Sequence, residues 1–303
     1  MRNTSRKNTK FIIWALSMII SLCLLMVVFI YLSNRGGDSW TPKNSLRLPK
    51  SKYGVPFRAD RLYEKVYVLS SGSPSFQPIL IYNNQDMDEK HLMIELNILS
   101  QGYEGHRPSD IVLMIDDDVE MQYVSYLRYA IQIQVQYMTL YYAVVPDGAG
   151  MNYDYYTKHP EILYKSRFWQ YPKINSGIRP MPRKSEIENI IQINQDSLGR
   201  VHVDGVIIGK DSLLNHLKTI VLSDSAYMMF ADIDKSVHYS DYMKLYNAVY
   251  GCFYSIRNDL ALEIWQKPFQ ELSHDKQWTI QKKRPFAYIE EYEVRGNPFE
   301  NIQ

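Results

Sequence analysis

Five apolar residues, Ile111-Val112-Leu113-Met114-Ile115, run directly into Asp116-Asp117-Asp118 and, after Val119, into Glu120. A run of this length and composition suits a strand buried on both faces. In an open α/β sheet, ligands gather beyond the carboxyl ends of the strands, so carboxylates placed there face the likeliest position of a site. Three adjacent carboxylates repel one another unless a cation or solvent neutralises them. Two readings stay open. One is a Mg²⁺ or Mn²⁺ site built from hard oxygen ligands. The other is an acidic turn that ends a strand, or a helix start capped at Asp118. In an extended segment Asp116 and Asp118 point one way and Asp117 the other, so Asp116 and Asp118 are the candidate metal ligands.

The surrounding pattern suggests an alternating α/β chain. Lys65 to Leu69 and Pro78 to Tyr82 are short apolar runs closed by Ser70-Ser71-Gly72-Ser73-Pro74 and by Asn83-Asn84, and they read as strands. Leu92, Met93, Leu96 and Leu99 recur at helical spacing within Met87 to Gln101, just ahead of Gly102. Strand, helix and strand in that order suggest a parallel arrangement. After the aspartates, Tyr123, Leu127 and Ile131 predict a helix to about Tyr137, then a strand through Val145. Residues 151–184 are rich in Tyr, Pro and Arg and read as an irregular loop. Arg200 to Lys210 reads as one strand and Ser212 to Val221 as a helix capped by Asp211. A second helix, capped by Ser223 or Asp224, is expected to run through Phe230, and another from Asn258 to Gln270, interrupted at Pro268. The sequence shows no internal repeat.

Phe11 to Leu32 contains no charge over 22 residues. At 1.5 Å per residue it reaches about 33 Å, enough to span a bilayer. Arg2, Arg6, Lys7 and Lys10 precede it with no acid among them, which places the N-terminus on the cytosolic side. The run is longer than a signal-peptide core, and Tyr31-Leu32-Ser33 is no small-x-small cleavage site. The expected organisation is a cytosolic tail (1–10), a signal anchor (11–32), a stem or linker (33–55) and one domain (56–303). The domain has Cys252 as its single cysteine and cannot form an internal disulfide. A net charge of +1 gives no sign of nucleic-acid binding. The 25 tyrosines suit either sugar stacking or a tyrosine-filled core.

An apolar strand followed by a D-x-D-like cluster resembles the nucleotide-binding motif of GT-A glycosyltransferases, family-2-like nucleotide-sugar transferases among them. The resemblance spans about residues 65 to 232. It implies an α/β fold, a GT-A-like Rossmann-type mixed sheet flanked by helices, preceded by one N-terminal transmembrane helix. It also implies Mn²⁺ or Mg²⁺ on Asp116 and Asp118, and a nucleotide-sugar donor whose ribose or sugar meets Asp117. Val203-Asp204-Gly205-Val206-Ile207-Ile208-Gly209 followed by Leu222-Ser223-Asp224 resembles the acceptor segment of that family. There an acid opening a helix deprotonates the acceptor hydroxyl, which makes Asp224 the candidate base. A late histidine completes the metal site in some members, and His238 is the nearest counterpart. The implied protein is a metal-dependent transferase acting on a glycan, protein or lipid acceptor, held as a type II membrane protein in the Golgi or ER.

Two other classes compete. Ile111 to Asp118 also fits the strand-D-x-D of haloacid-dehalogenase-like phosphatases, but Glu120 stands where that family has Thr or Val. The third class is a non-catalytic, membrane-anchored ecto-domain.

Overall fold

The computed structural model describes residues 46–53, 55–56, 63–72, 77–101, 110–134, 140–146, 164–167, 190–223, 227–284 and 286–291. The chain divides into two compact units, Met1–Lys43 and Asn44–Gln303. The first lies outside the described residues, and with it the tail, the expected membrane span 11–32 and the start of the stem. Among the described residues no helix is long and apolar enough to cross a membrane.

The second unit is mixed α/β, with two mixed sheets flanked by helices. In chain order the first sheet contains β1 (Lys50–Ser51), β2 (Val55–Pro56), β3 (Tyr63–Leu69), β4 (Ile79–Tyr82) and β5 (Gln85–Met87). Helix α1 (Glu89–Gln101) follows, then β6 (Asp110–Ile115), α2 (Met121–Gln134), β7 (Leu140–Pro146) and β8 (Tyr164–Arg167). The second sheet contains β9 (Ile190–Gln195), β10 (Val201–Val203) and β11 (Val206–Ile208). Helix α3 (Lys210–Ser223), β12 (Met228–Ile233), α4 (Tyr239–Trp265), α5 (His274–Lys283) and β13 (Tyr288–Glu291) complete it.

The two sheets repeat one plan. Strand order β5-β4-β3-β6-β7 in the first matches β11-β10-β9-β12-β13 in the second. Each begins with two antiparallel pairings and continues with two parallel ones. Both modules turn their short hairpin on two residues at positive φ, Asn83-Asn84 in one and Asp204-Gly205 in the other, the two-residue geometry that matches strand twist. The expectation of no internal repeat is therefore corrected. Aligned on strand register, the halves share Leu92/Leu213, Leu96/Leu217, Ile115/Ile233, Asp116/Asp234, Val119/Val237 and Leu127/Leu245. Most other aligned residues differ, in polarity too at Val68/Gln195, Met114/Asp232 and Arg128/Tyr246, because a two- or 3.6-residue period needs an apolar residue on one face, not a particular one.

The long apolar run became β6, buried throughout after Asp110, and the neighbouring strands and α1 fall where the pattern put them. Three expectations are corrected. Arg200 to Lys210 is two strands, since Asp204-Gly205 reverses the chain. The helix expected through Phe230 is strand β12, paired in parallel with β9 and β13; a short apolar run does not distinguish helix from strand until it has neighbours. The helix expected from Asn258 is found, with the break at Pro268, but its start is corrected: it is the second half of α4, which begins at Tyr239. The end of the expected stem also belongs to the fold, for Leu46 and Leu48 are buried and Lys50–Ser51 pairs with β7. Within 151–184 the described piece is β8; the rest lies outside the described residues.

One apolar cluster runs through both modules. Tyrosine is a large part of it: Tyr82, Tyr142, Tyr239, Tyr242 and Tyr246 are fully buried. Tyr239, Tyr242, Tyr246 and Tyr250 form a ladder of neighbouring rings along α4, spaced three or four residues apart. The described tyrosines are thus mainly core.

Candidate functional site: the acidic turn and its twin

The acidic turn sits where β6 ends and α2 begins. The Asp116 N–H still bonds to Val68 O of the neighbouring strand at 2.9 Å. The chain then turns, with Val119 N–H on Asp116 O at 3.1 Å and Asp118 N–H on Asp116 Oδ1 at 3.1 Å. The second module copies this. Asp234 N–H bonds to Gln195 O at 2.9 Å, Val237 N–H to Asp234 O at 3.1 Å, and Ser236 N–H to Asp234 Oδ1 at 2.9 Å. A carboxylate at this position closes the turn by accepting a main-chain N–H two residues on, which any Asp at a strand end can do.

The two turns meet head to head. Glu120 and His238 form an antiparallel bridge. Met121 N–H donates to Val237 O and Tyr239 N–H to Val119 O, both at 2.8 Å. Gln122 N–H donates to Lys235 O at 3.0 Å and Ser240 N–H to Asp117 O at 3.1 Å. Each bond has its counterpart with the modules exchanged, so an internal dyad passes between the turns. The bonds also satisfy N–H groups at the starts of α2 and α4, which have no partner within their own helices.

Arg47, from the segment ahead of β1, fills the carboxyl end of β6. Its N–H donates to Asp116 Oδ2 at 3.0 Å, and its carbonyl accepts from Asp117 N–H at 2.8 Å. Its guanidinium pairs with Asp118 and, at 3.5 Å, with Asp116 Oδ1. Asp116 is 4 % exposed, and both its oxygens are engaged. The hydrogen bond to Asp118 raises the Arg47 pKa still further. Asp117 lies in a turn, not in the extended segment that the expected alternation presumes. Burial, and then the neighbouring Asp116 charge, push its carboxyl up to about 6. Its Oδ1 is buried without a hydrogen-bond partner.

The structure brings His238 to the acidic turn, but its ring meets the main chain. Nδ1–H donates to Asp118 O at 3.0 Å. Among the described residues no group of three or more His, Cys, Asp or Glu side chains is placed to hold a metal. The arrangement fits a guanidinium better than a divalent ion, which would have to displace Arg47 from Asp116 and Asp118. Asp224, the candidate base, lies outside the described residues.

A second feature was not picked out in the sequence. Asn194, Gln195, Asp196, His202, Asp232 and Asp234 line an open cleft of about 340 Å³. It lies at the carboxyl ends of β9 and β12, where the chain leaves one strand for β10 and the other for β13 on the opposite side. Such switch points are where open α/β sheets place ligands. Asp196 is held by Arg200 at 2.7 Å and His202 at 3.3 Å. Against its own desolvation, those bonds and main-chain N–H groups bring its pKa down to about 2. The residues that line the cleft are scattered over three strands, so no local motif marks it.

The modules are also tied by a buried ion pair. Arg128 of α2 meets Glu290 of β13 at 2.6 Å, each side chain 3 % exposed, and Tyr242 O–H donates to the other Glu290 oxygen at 2.7 Å. A lone Arg in a helix and one Glu of the run Glu290-Glu291-Tyr292-Glu293 give no sequence signal of this pairing. Compared with protein-family models and with curated proteins, the chain matches none.

Proposed function

We propose that residues 44–303 form a non-catalytic interaction domain, carried outside the membrane by the N-terminal anchor that the uncharged run 11–32 implies. One observation carries this reading. Asp116 and Asp118 are engaged by the protein itself, through Arg47 and a main-chain N–H group, and the main chain of the turn is engaged by its twin. Carboxylates so engaged build architecture. Two copies of one module, fused around an internal dyad, also suit a domain whose work is assembly.

A metal-dependent glycosyltransferase of GT-A-like fold, anchored in the Golgi or ER as a type II protein, is the second reading. Its support is the position of Asp116, Asp117 and Asp118 at the carboxyl end of a buried parallel strand, with Asp118 half exposed and His238 alongside. In that reading Asp118 would hold the metal once Arg47 moved away. Binding of UDP and GDP to the full chain, with and without Mn²⁺, separates the two. The interaction domain predicts no Mn²⁺-dependent binding, and the same result for Arg47→Met, in which the carboxylates are released. Mn²⁺-dependent binding that disappears in Asp118→Ala would establish the transferase instead.

A further inference from the structure

We propose that the cleft at the carboxyl ends of β9 and β12 takes a peptide segment carrying an arginine, in the way the acidic turn of the first module takes Arg47. Residues 44–303 thereby gain a partner of stated chemistry, and the inference rests on reading them as an interaction domain. Peptide binding and nucleotide binding are separate measurements, so either reading can fail alone.

The twin turn supplies the template. Around Asp116 a stretch of main chain is already docked. Arg47 N–H donates to Asp116 Oδ2 at 3.0 Å, and Arg47 O accepts from Asp117 N–H at 2.8 Å. The matching groups of the second module are Asp234 Oδ2 and the Lys235 N–H. Asp234 Oδ1 closes its own turn through Ser236. Among the described residues, Asp234 Oδ2 and the Lys235 N–H have no partner. In the turn geometry that the modules share, this acceptor and this donor can hold one residue by its own N–H and C=O.

The sheet beside them has changed to suit a cation. In the first module Tyr67 lies between Ile81 and Met114, and Leu69, Ile81 and Met114 are buried. In the second, Asn194 lies between His202 and Asp232, and Asp196 stands in place of Leu69. Residues directly opposite on neighbouring strands share a face, so these polar side chains gather on one side. Asp196 is answered by Arg200 and His202. Asp232 and Asp234 are exposed and, among the described residues, meet no cation. Ser236 stands where Asp118 does, so the second acid has moved from the turn to the strand, at Asp232. Gln195 also lines the cleft and is 2 % exposed. Its Nε2 donates to Gly199 O at 3.5 Å and Asp241 O at 3.1 Å, while its Oε1 is buried without a partner among the described residues. Two carboxylates beside an unpartnered acceptor call for a cation with several N–H donors, which a guanidinium presents in one plane. A metal ion is the poorer fit, because among the described residues no three His, Cys, Asp or Glu side chains converge on one point. At about 340 Å³ the cleft is within the size range of ligand pockets.

The test uses the full chain in detergent micelles and the amidated peptide Gly-Ser-Arg-Ser-Gly carrying an uncharged fluorophore, read by anisotropy. A second peptide has citrulline, the neutral isostere, in place of arginine. The arginine peptide is expected to bind saturably, and the citrulline peptide roughly tenfold more weakly or worse, since hydrogen bonds between charged groups are the stronger ones. Asp232→Asn combined with Asp234→Asn keeps the side-chain shapes and an acceptor for Ser236, and weakens the arginine peptide by roughly tenfold or more. Asp275→Asn, on α5, leaves binding unchanged. Should the double variant lower the melting temperature, Asp232→Asn alone, at an exposed side chain, is read in its place. No binding of the arginine peptide to the wild-type chain, equal binding of the citrulline peptide, or a cleft variant that binds as tightly as wild type overturns the proposal. A rise in melting temperature with Ca²⁺ or Mn²⁺ that vanishes in the cleft variant, with no peptide bound, assigns the cleft to a metal ion and overturns it as well.

Discussion

At the scale of the residue, Asp117 is a carboxylate held at a cost. Its neighbours Asp116 and Asp118 have a guanidinium, whereas its own Oδ1 is buried without a partner. Its pKa rises from the ordinary value near 3.9 to about 6. Between those values the unfolded chain loses the proton before the folded one, so stability falls as pH rises through that window and stays lower above it. Asn mimics the protonated form. Asp117→Asn is expected to raise the melting temperature at pH 7.5 and to leave it unchanged near pH 4. The full rise corresponds to about 3 kcal/mol, which partial exposure reduces to about 1–2 kcal/mol. Equal effects at the two pH values would show that Asp117 carries no such penalty.

At the scale of the element, α4 is decided by what crosses it. A Cβ added at Gly251 would clash with the ring and hydroxyl of Tyr53, which lies between Tyr250 and Tyr254 at 5.8 Å from each. Gly in a helix interior ordinarily costs about 1 kcal/mol relative to Ala, so this glycine is kept for the close approach. Gly251→Ala is expected to destabilise the protein by about 1–3 kcal/mol, the usual range for overpacking. In a Tyr53→Ala background the same change becomes neutral or stabilising. Urea midpoints for the four proteins of this cycle measure the coupling; additive effects would mean that Tyr53 does not hold the contact.

At the scale of the whole molecule, the modules are joined by the paired turns, a shared apolar cluster and the Arg128–Glu290 bridge. Removing one partner of a buried pair leaves an uncompensated charge, so Glu290→Ala is expected to cost about 3–5 kcal/mol. Replacing both, Arg128→Leu with Glu290→Leu, should recover most of that loss, since an apolar pair pays no desolvation. Denaturant titration of the single and double variants reads both. A small loss in Glu290→Ala would mean that the bridge does not tie the halves together.

Sequence by itself determined whatever depends on near neighbours in the chain. Five apolar residues in a row, closed at once by three aspartates, suit a buried strand, so β6 was legible. So was α1 from its helical spacing, which is a local period; the alternate facing expected of Asp116, Asp117 and Asp118 presumes an extended chain, and the chain turns there. Tertiary structure decided what depends on residues far apart. Arg47 lies 69 positions before Asp116, yet the fold sets its main chain and guanidinium against Asp116 and Asp118. Met228 to Ile233 is a strand because β9 and β13 flank it. The duplication was invisible because two modules can share a fold while few of their aligned residues are the same. Their meeting at Glu120 and His238 joins main-chain groups, and main chain has no sequence.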